Sequence, residues 1–329
     1  MFKAMPYALA RRSRKERAGQ MDVILHLGAH RTASTTLQRT LKLSQHALRQ
    51  DGVACWGPWR TRNGLFAGLI GQPDPVLPWQ SERILRSTGL IRMETLRLEQ
   101  AGCAALLISE ENMLGKVGEN LREGVLYPYA AQRLERFRAS LADRVRVVAL
   151  AIRSYDSFWA SSLAFALPKG GPLPTSQLCA RLVNQPRRWR DIIGDVARAF
   201  PQARVIVWSY EGLGNSPCSQ MRAMLGRDLP LDISPQWHNP APTPAKLALA
   251  LQSRGEGEGL VDADARRFSP FTPEQRGDLR ADYIEDLAWL RAGADGLACY
   301  FGDPSEIKNA GTTGQGRGHS NDAEHRRLA

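Results

Sequence analysis

The chain has 329 residues, of which 43% are hydrophobic, and its formal net charge is +11. This size and hydrophobic content supply ample core for one large α/β domain or two small ones, and no apolar run approaches the roughly 20 residues of a membrane-spanning helix. The positive charge favours anionic partners, among them nucleic acid, acidic membrane surfaces, polyanionic glycans and phosphorylated cofactors, without choosing between them. The five cysteines are widely spaced and never form C-x-x-C, which argues against a zinc site or a disulfide framework and fits a reduced, cytoplasmic setting.

The two ends of the chain differ in composition from its middle. Residues 1–20 carry six basic side chains against the single acid Glu16, and they contain no apolar run typical of a signal peptide. From about Asp303 the chain is rich in Gly, Thr, Asn and Arg and loses its apolar residues. We therefore expect a basic, disordered extension over 1–20, one folded domain over 21–302 and a disordered tail over 303–329. Met21, directly before the first predicted strand, is a candidate start of translation.

The first folded stretch, residues 23–38, has the sequence VILHLGAHRTASTTLQ. Its apolar start predicts a short buried strand. Small, polar and basic residues follow from Gly28, and Leu37 and Leu41 then recur at helical spacing. A strand, a tight loop and a helix start make a cradle for a phosphate-like anion, because free backbone N–H groups and the helix dipole both favour an oxyanion there. Arg31 adds a fixed charge and a planar donor fork.

This loop differs from the phosphate loop of nucleoside triphosphatases, G-x-x-x-x-G-K-[ST]. Counted from Gly28, Ala33 stands where the second glycine belongs and Ser34 where the lysine belongs, while Thr35 keeps the hydroxyl position. The cation has moved to Arg31, so the loop suits one phosphate-like group better than a triphosphate with Mg²⁺. The plainer alternative is an ordinary turn between a strand and a helix.

Beyond this stretch, short apolar runs alternate with helical patterns. In chain order they predict a strand over 52–56, an irregular segment over 57–80, a helix over 81–100, a strand over 104–108, a helix over 128–142, a strand over 145–152, a helix containing Phe158 and Phe165, a loop over 168–174, a helix over 176–200 broken at Pro186, a strand over 203–208, and helices near Pro244 and Thr272. This alternation predicts an α/β fold, a P-loop-type three-layer αβα sandwich with a mostly parallel central sheet.

Two acidic residues, Glu110 and Glu111, follow the strand over 104–108. In an open α/β sheet the ligand crevice lies at the carboxyl ends of the strands, so both are candidates for general-base work. We expect one of them to be functional and the other to cap the following segment or to be solvated.

Arg153 directly follows the strand over 145–152, and Ser161 lies about two turns into the next helix. A guanidinium fork and a hydroxyl can together hold a second phosphate, the arginine by charge and the serine by orientation. Both residue types are common, so the pair gains weight only from its position at a strand end.

In this order and spacing the motifs resemble those of the PAPS-dependent sulfotransferases, in particular bacterial members similar to carbohydrate sulfotransferases. The family's strand–loop–helix, H-x-G-x-H-K-T-G-T-T-x-L-Q, stands here as residues 26–38, with Arg31 in place of the lysine and Ala33 in place of the second glycine. Arg153 and Ser161 have the spacing of the family's 3′-phosphate pair. The motif I-S-S-E-N appears as residues 108–112, with Glu111 at the acidic position, and a family-like Tyr-Glu appears at 210–211. The resemblance covers about residues 22–300.

The resemblance implies a sulfotransferase that moves a sulfuryl group from PAPS to a hydroxyl or amine, on a carbohydrate by family likeness, without a metal. It implies that Arg153 and Ser161 hold the 3′-phosphate, and that Glu111 or Glu110 takes the acceptor's proton, with His30 as another candidate base. Arg31 would stabilise charge on the leaving phosphate. The phosphosulfate would be held by the loop residues Gly28, His30, Arg31, Thr32, Ala33, Ser34, Thr35 and Thr36.

Two alternatives stay open. A non-catalytic member of the fold that binds anionic ligands is one, because arginine for lysine is not a conservative change at a phosphate clamp and Ala33 is strained if its position needs a positive φ. A P-loop kinase for a small molecule is the other, and it predicts Mg²⁺-dependent ATP binding. No nucleic-acid motif is present, so we expect no nucleic-acid partner, and the oligomeric state is left undetermined.

Overall fold

The structure, a computed structural model, describes residues 20–73, 78–232, 241–257 and 259–302. The extension and the tail expected to be disordered lie outside the described residues, apart from Gln20. Within the described part, no helix combines the length and the apolar character needed to cross a membrane.

The core of the fold is a six-stranded sheet with the order β2-β3-β1-β4-β5-β6, in which every neighbouring pair is parallel. The strands are β1 (Asp22–His26), β2 (Val53–Trp56), β3 (Ala105–Ser109), β4 (Val145–Ile152), β5 (Arg204–Ser209) and β6 (Cys299–Phe301). The predicted sheet was mostly parallel, and the described sheet is entirely so.

Helices connect the strands, as parallel pairing requires. They are α1 (Ser34–Leu43), α2 (Gln45–Gln50), α3 (Pro58–Arg60), α4 (Pro78–Gln100), α5 (Val117–Glu123), α6 (Ala130–Leu141), α7 (Tyr155–Ala166), α8 (Ser176–Val183), α9 (Trp189–Ala199), α10 (Tyr210–Leu213), α11 (Pro217–Leu225), α12 (Pro244–Ser253) and α13 (Pro273–Arg291). Single helical turns occur at Thr61–Leu65, Glu111–Met113, Ala142–Arg144, Leu167–Lys169 and Ala294–Gly296.

The strands turn alternate side chains to two cores, one on each face of the sheet. On β4, Val148 and Leu150 join one core while Ala149 and Ala151 join the other. The first core packs against helices α4 to α9 and α13, and the second against α1, α2, α10 and α11. Helices therefore cover both faces, which confirms the three-layer αβα sandwich.

The five predicted strands are all present, and β4 has the predicted bounds. The helix predicted over 81–100 begins earlier, at Pro78, because proline fits the first turn of a helix, where its missing N–H costs nothing. The segment predicted as irregular over 57–80 accordingly contains α3 and the start of α4. The elements β6, α5, α10 and α11 were not predicted.

Candidate active site

The strand β1 lies between β3 and β4, so the segments that leave these three strands meet at one edge of the sheet. These segments carry the predicted cradle loop, the two glutamates and Arg153. The chemistry-bearing residues singled out in the sequence are thus brought to a single edge by the strand order.

The cradle loop has three residues with positive φ: Gly28 at 38°, Arg31 at 64° and Ala33 at 63°. A Cβ on Gly28 would lie 2.8 Å from Cε1 of His26, so only glycine fits there without a shift. Successive backbone turns of this kind aim N–H groups at a common point and form an anion-binding nest. No hydrogen bond within the described residues uses the N–H groups of Ala33, Ser34 or Thr35, at the start of α1.

Arg31 joins the cradle loop to the segment after β4. Its Nε donates a hydrogen bond to Oγ of Ser161 at 2.9 Å, and its carbonyl oxygen accepts one from Nη1 of Arg153 at 2.7 Å. The guanidinium also lies 5.2 Å from the centroid of the Phe165 ring. Burial, followed by repulsion from Arg153, lowers the pKa of Arg31. Two guanidinium groups that repel each other in a partly buried place would be stabilised by an oxyanion between them.

Arg153 and Ser161 line a cleft of about 430 Å³. Nε of Arg153 is buried and has no hydrogen-bond partner among the described residues, although its guanidinium lies 4.4 Å from the centroid of the Tyr210 ring. Four further arginines line the same cleft: Arg266, Arg267, Arg276 and Arg280. Only Arg280 among these four forms an ion pair in the described part of the chain, with Asp156 at 2.8 Å. The cleft therefore has unneutralised positive charge and a donor available to a ligand.

The two glutamates after β3 have different surroundings. Glu110 is fully buried, and its carboxylate accepts hydrogen bonds from Oγ1 of Thr61 at 2.6 Å, Nη2 of Arg62 at 2.7 Å and the backbone N–H of Asn112 at 3.1 Å. A carboxylate with these partners and no access to solvent holds the loop together. Glu110 therefore caps the helical turn that follows, which was one of the roles expected for this pair of glutamates.

The side chain of Glu111 is more exposed than that of Glu110. Its side chain is 13% exposed, Oε2 accepts from Nε2 of Gln38 at 2.7 Å, and Oε1 accepts from Nη2 of Arg62 at 2.7 Å. Burial acts to raise the pKa of Glu111, but its polar neighbours, among them Arg62 and the hydrogen bond from Gln38, outweigh burial and lower it. Glu111 is thus an ionised carboxylate held at a fixed place, with lone pairs left for another partner.

The imidazole of His30 is half-buried beside Tyr127, a residue that the sequence did not single out. The Tyr127 hydroxyl oxygen lies 2.8 Å from the His30 backbone nitrogen and 3.0 Å from Nδ1. Burial lowers the pKa of His30.

Glu211, from the Tyr-Glu pair after β5, supports the site from outside it. Its Oε1 accepts from the backbone N–H of Ser154 at 3.2 Å, and its Oε2 accepts from the hydroxyl of Tyr283 at 2.9 Å. The residue thus ties the segment that follows Arg153 to α13.

Within the described residues, no group of three or more His, Cys, Asp or Glu side chains is arranged to hold a metal ion. Comparisons of the chain with family models, curated proteins and solved structures returned no match.

Proposed function

We propose that the protein is a PAPS-dependent sulfotransferase that transfers a sulfuryl group to a hydroxyl or amine acceptor, and that the acceptor is a carbohydrate. One observation carries the proposal. Arg31 joins two surfaces whose groups suit anions, the nest at the start of α1 and the arginine-lined cleft after β4. PAPS presents two anions in the same way, a 5′-phosphosulfate and a 3′-phosphate, and the resemblance stated above assigns them to these two places.

The residues fit this co-substrate. Arg153 offers a buried donor, Nε, that has no partner among the described residues, and Ser161 lines the same cleft. The N–H groups of Ala33, Ser34 and Thr35 and the positive end of α1 suit the phosphosulfate. Arg266 and Arg267 add positive charge to the lining of the same cleft. An adenine nucleotide without a 3′-phosphate would leave Arg153 unneutralised.

The co-substrate, when bound, supplies a sulfuryl group already activated by its phosphate leaving group. The chain's own residues do the rest. Arg31 and the nest stabilise the negative charge that develops on the leaving phosphate. Glu111 accepts a hydrogen bond from the acceptor hydroxyl and takes its proton as the hydroxyl becomes acidic during transfer. Because its pKa is lowered, Glu111 is ionised and ready at neutral pH, and Arg62 with Gln38 keeps it in place.

Calorimetric titration with 3′,5′-ADP, the product of the reaction, tests the proposal without metal or acceptor. Arg153→Ala is expected to weaken binding about 10- to 100-fold, the range for losing a charge-assisted hydrogen bond. Arg198→Ala is the matched control, because Arg198 is largely exposed on α9 and pairs only with Asp195 in the described structure. ATP should bind much more weakly than 3′,5′-ADP. Absence of wild-type binding, or equal affinities of the two variants, would overturn the proposal.

A second candidate is an anion-binding protein of the same fold that transfers nothing. The contact between Arg31 and Ser161 favours it. An Arg31 side chain that is held at the cleft is less able to stabilise the charge that would develop on a leaving phosphate in the nest. The two candidates differ in turnover. Release of 3′,5′-ADP from PAPS in the presence of polysaccharide acceptors supports the transferase, and tight 3′,5′-ADP binding with no release under any acceptor supports the binding protein. Mg²⁺-dependent preference for ATP would instead indicate a kinase.

A further inference from the structure

Tyr127 stands in a backbone conformation that aromatic residues rarely adopt. Its φ is 43°, in the left-handed region. The surroundings hold it there. Its N–H donates to Oδ1 of Asn120 at 3.1 Å, and its ring lies 6.2 Å from the Phe158 ring and 6.4 Å from the Trp189 ring, centroid to centroid. A strained, fully buried residue that is fixed on several sides is typical of a functional region, and its hydroxyl points to the cradle loop.

The hydrogen bonds of this hydroxyl decide the protonation of His30. The backbone N–H of His30 can only donate, so the Tyr127 oxygen accepts it at 2.8 Å. The same oxygen lies 3.0 Å from Nδ1 of the imidazole. If Nδ1 accepts, the phenol proton is satisfied. If Nδ1 carried a proton, the buried phenol proton would have no acceptor among the described residues, which is costly. The geometry therefore favours Nδ1 as acceptor and the ring proton on Nε2.

The other side of the imidazole faces the loop after β3. The side chain of Asn112 lies near enough to the ring to favour its protonated form, whereas the ring's hydrogen bond among the described residues is with Tyr127. The charged groups around the ring act in opposite directions. Glu111 and Glu110 favour its protonation, whereas burial, the largest influence, and Arg62 oppose it. The net result is a lowered pKa and a neutral ring at pH 7.

We propose that Tyr127 is a positioning residue that holds His30, in the cradle loop, as the neutral Nε2–H tautomer. Because Nε2 carries the ring proton and Nδ1 is engaged by Tyr127, His30 is no longer a candidate base. The consequence for transfer rests on the proposed function, whereas the tautomer itself does not.

The test compares Tyr127→Phe with Tyr129→Phe. The first change removes the hydroxyl and keeps the ring. The second is the matched control, because Tyr129 is half-buried two residues away and its hydroxyl makes no hydrogen bond within the described residues. Long-range ¹H–¹⁵N spectra of the ligand-free protein report the tautomer and the pKa of His30, whose signals are assigned by their loss in His30→Gln. The wild type and Tyr129→Phe should show neutral Nε2–H at pH 7, and Tyr127→Phe should show mixed tautomers.

A wild-type spectrum with the proton on Nδ1, or with a charged ring at pH 7, would overturn the proposal, even if Tyr127→Phe fails to fold. An unchanged tautomer in folded Tyr127→Phe would also overturn it. Titration with 3′,5′-ADP gives the second measurement, in which Tyr127→Phe should weaken binding about fivefold, as expected for one hydrogen bond, and Tyr129→Phe should not. If the wild type does not bind 3′,5′-ADP at all, the proposed function fails while the tautomer assignment is still decided by the spectra.

Discussion

Replacement of Ala33 by glycine should make the protein more stable. Ala33 is the N-cap residue of α1, with φ 63° and ψ 20° and no side-chain cap. An L-residue in this left-handed conformation costs about 1–2 kcal/mol. Glycine removes that strain, but its greater freedom in the unfolded chain offsets about 0.4–1 kcal/mol. Ala33 is half-buried, so loss of its methyl group costs little burial. The expected net gain is about 0.5–1 kcal/mol.

Urea denaturation followed by circular dichroism measures this change as a higher midpoint with an unchanged m-value. The matched control is Ala47→Gly, at a half-buried alanine within α2, where glycine should lower stability by about 0.5–1 kcal/mol. The two substitutions are the same in chemistry and opposite in expected sign. If Ala33→Gly destabilises the protein as Ala47→Gly does, residue 33 is not left-handed in solution and the nest described above is wrong.

Two further changes test the packing around the site. His26 is buried, and burial lowers its pKa from 6.5 to about 4. As the pH falls, His26 is therefore protonated near pH 6.5 in the unfolded chain but only near pH 4 in the folded chain. Stability should therefore fall by about 3 kcal/mol between these pH values, and denaturation at several pH values should show that His26→Gln, unlike exposed His46→Gln, flattens the decline. Gly68→Ala should destabilise the protein by about 1–3 kcal/mol or more, because its Cβ would lie 2.1 Å from the carbonyl oxygen of Arg83. Gly118→Ala in α5, where no atom of the described residues lies within 4 Å of the added Cβ, should instead raise the denaturation midpoint. An equal fall in both variants would contradict the packing described here.

The sheet could be predicted because buried parallel strands leave a strong local signal. Each of β1 to β5 is a short apolar run bounded by polar residues, which hydrophobic periodicity detects. The strand β6 spans only Cys299–Phe301 and is half-buried, so three residues carry too little pattern. The helices α10 and α11 are also short, and the first begins directly at the end of β5 without a separating turn.

Residues of the candidate site could be predicted where a polar or charged residue closely follows a strand. They could not be predicted where a side chain reaches the site from a distant part of the chain. Arg153 and Ser161 could be singled out because both follow β4 closely. Arg266 and Arg267 follow no strand, so no local pattern connects them with the cleft that they line. The different surroundings of Glu110 and Glu111 are likewise set by a distant residue, Arg62, whose guanidinium contacts both carboxylates.

The order of the strands also determines when the edge that carries the candidate site can form. β1 is synthesised first, yet its two neighbours in the sheet come much later, since Asp22 pairs with Ala105 and Val23 with Val145. A growing chain on the ribosome has both walls of the cradle only after β4 and the start of α7 have emerged. Such distant pairings form slowly. The proposed anion-binding loop is thus among the first segments made and among the last to take its final shape.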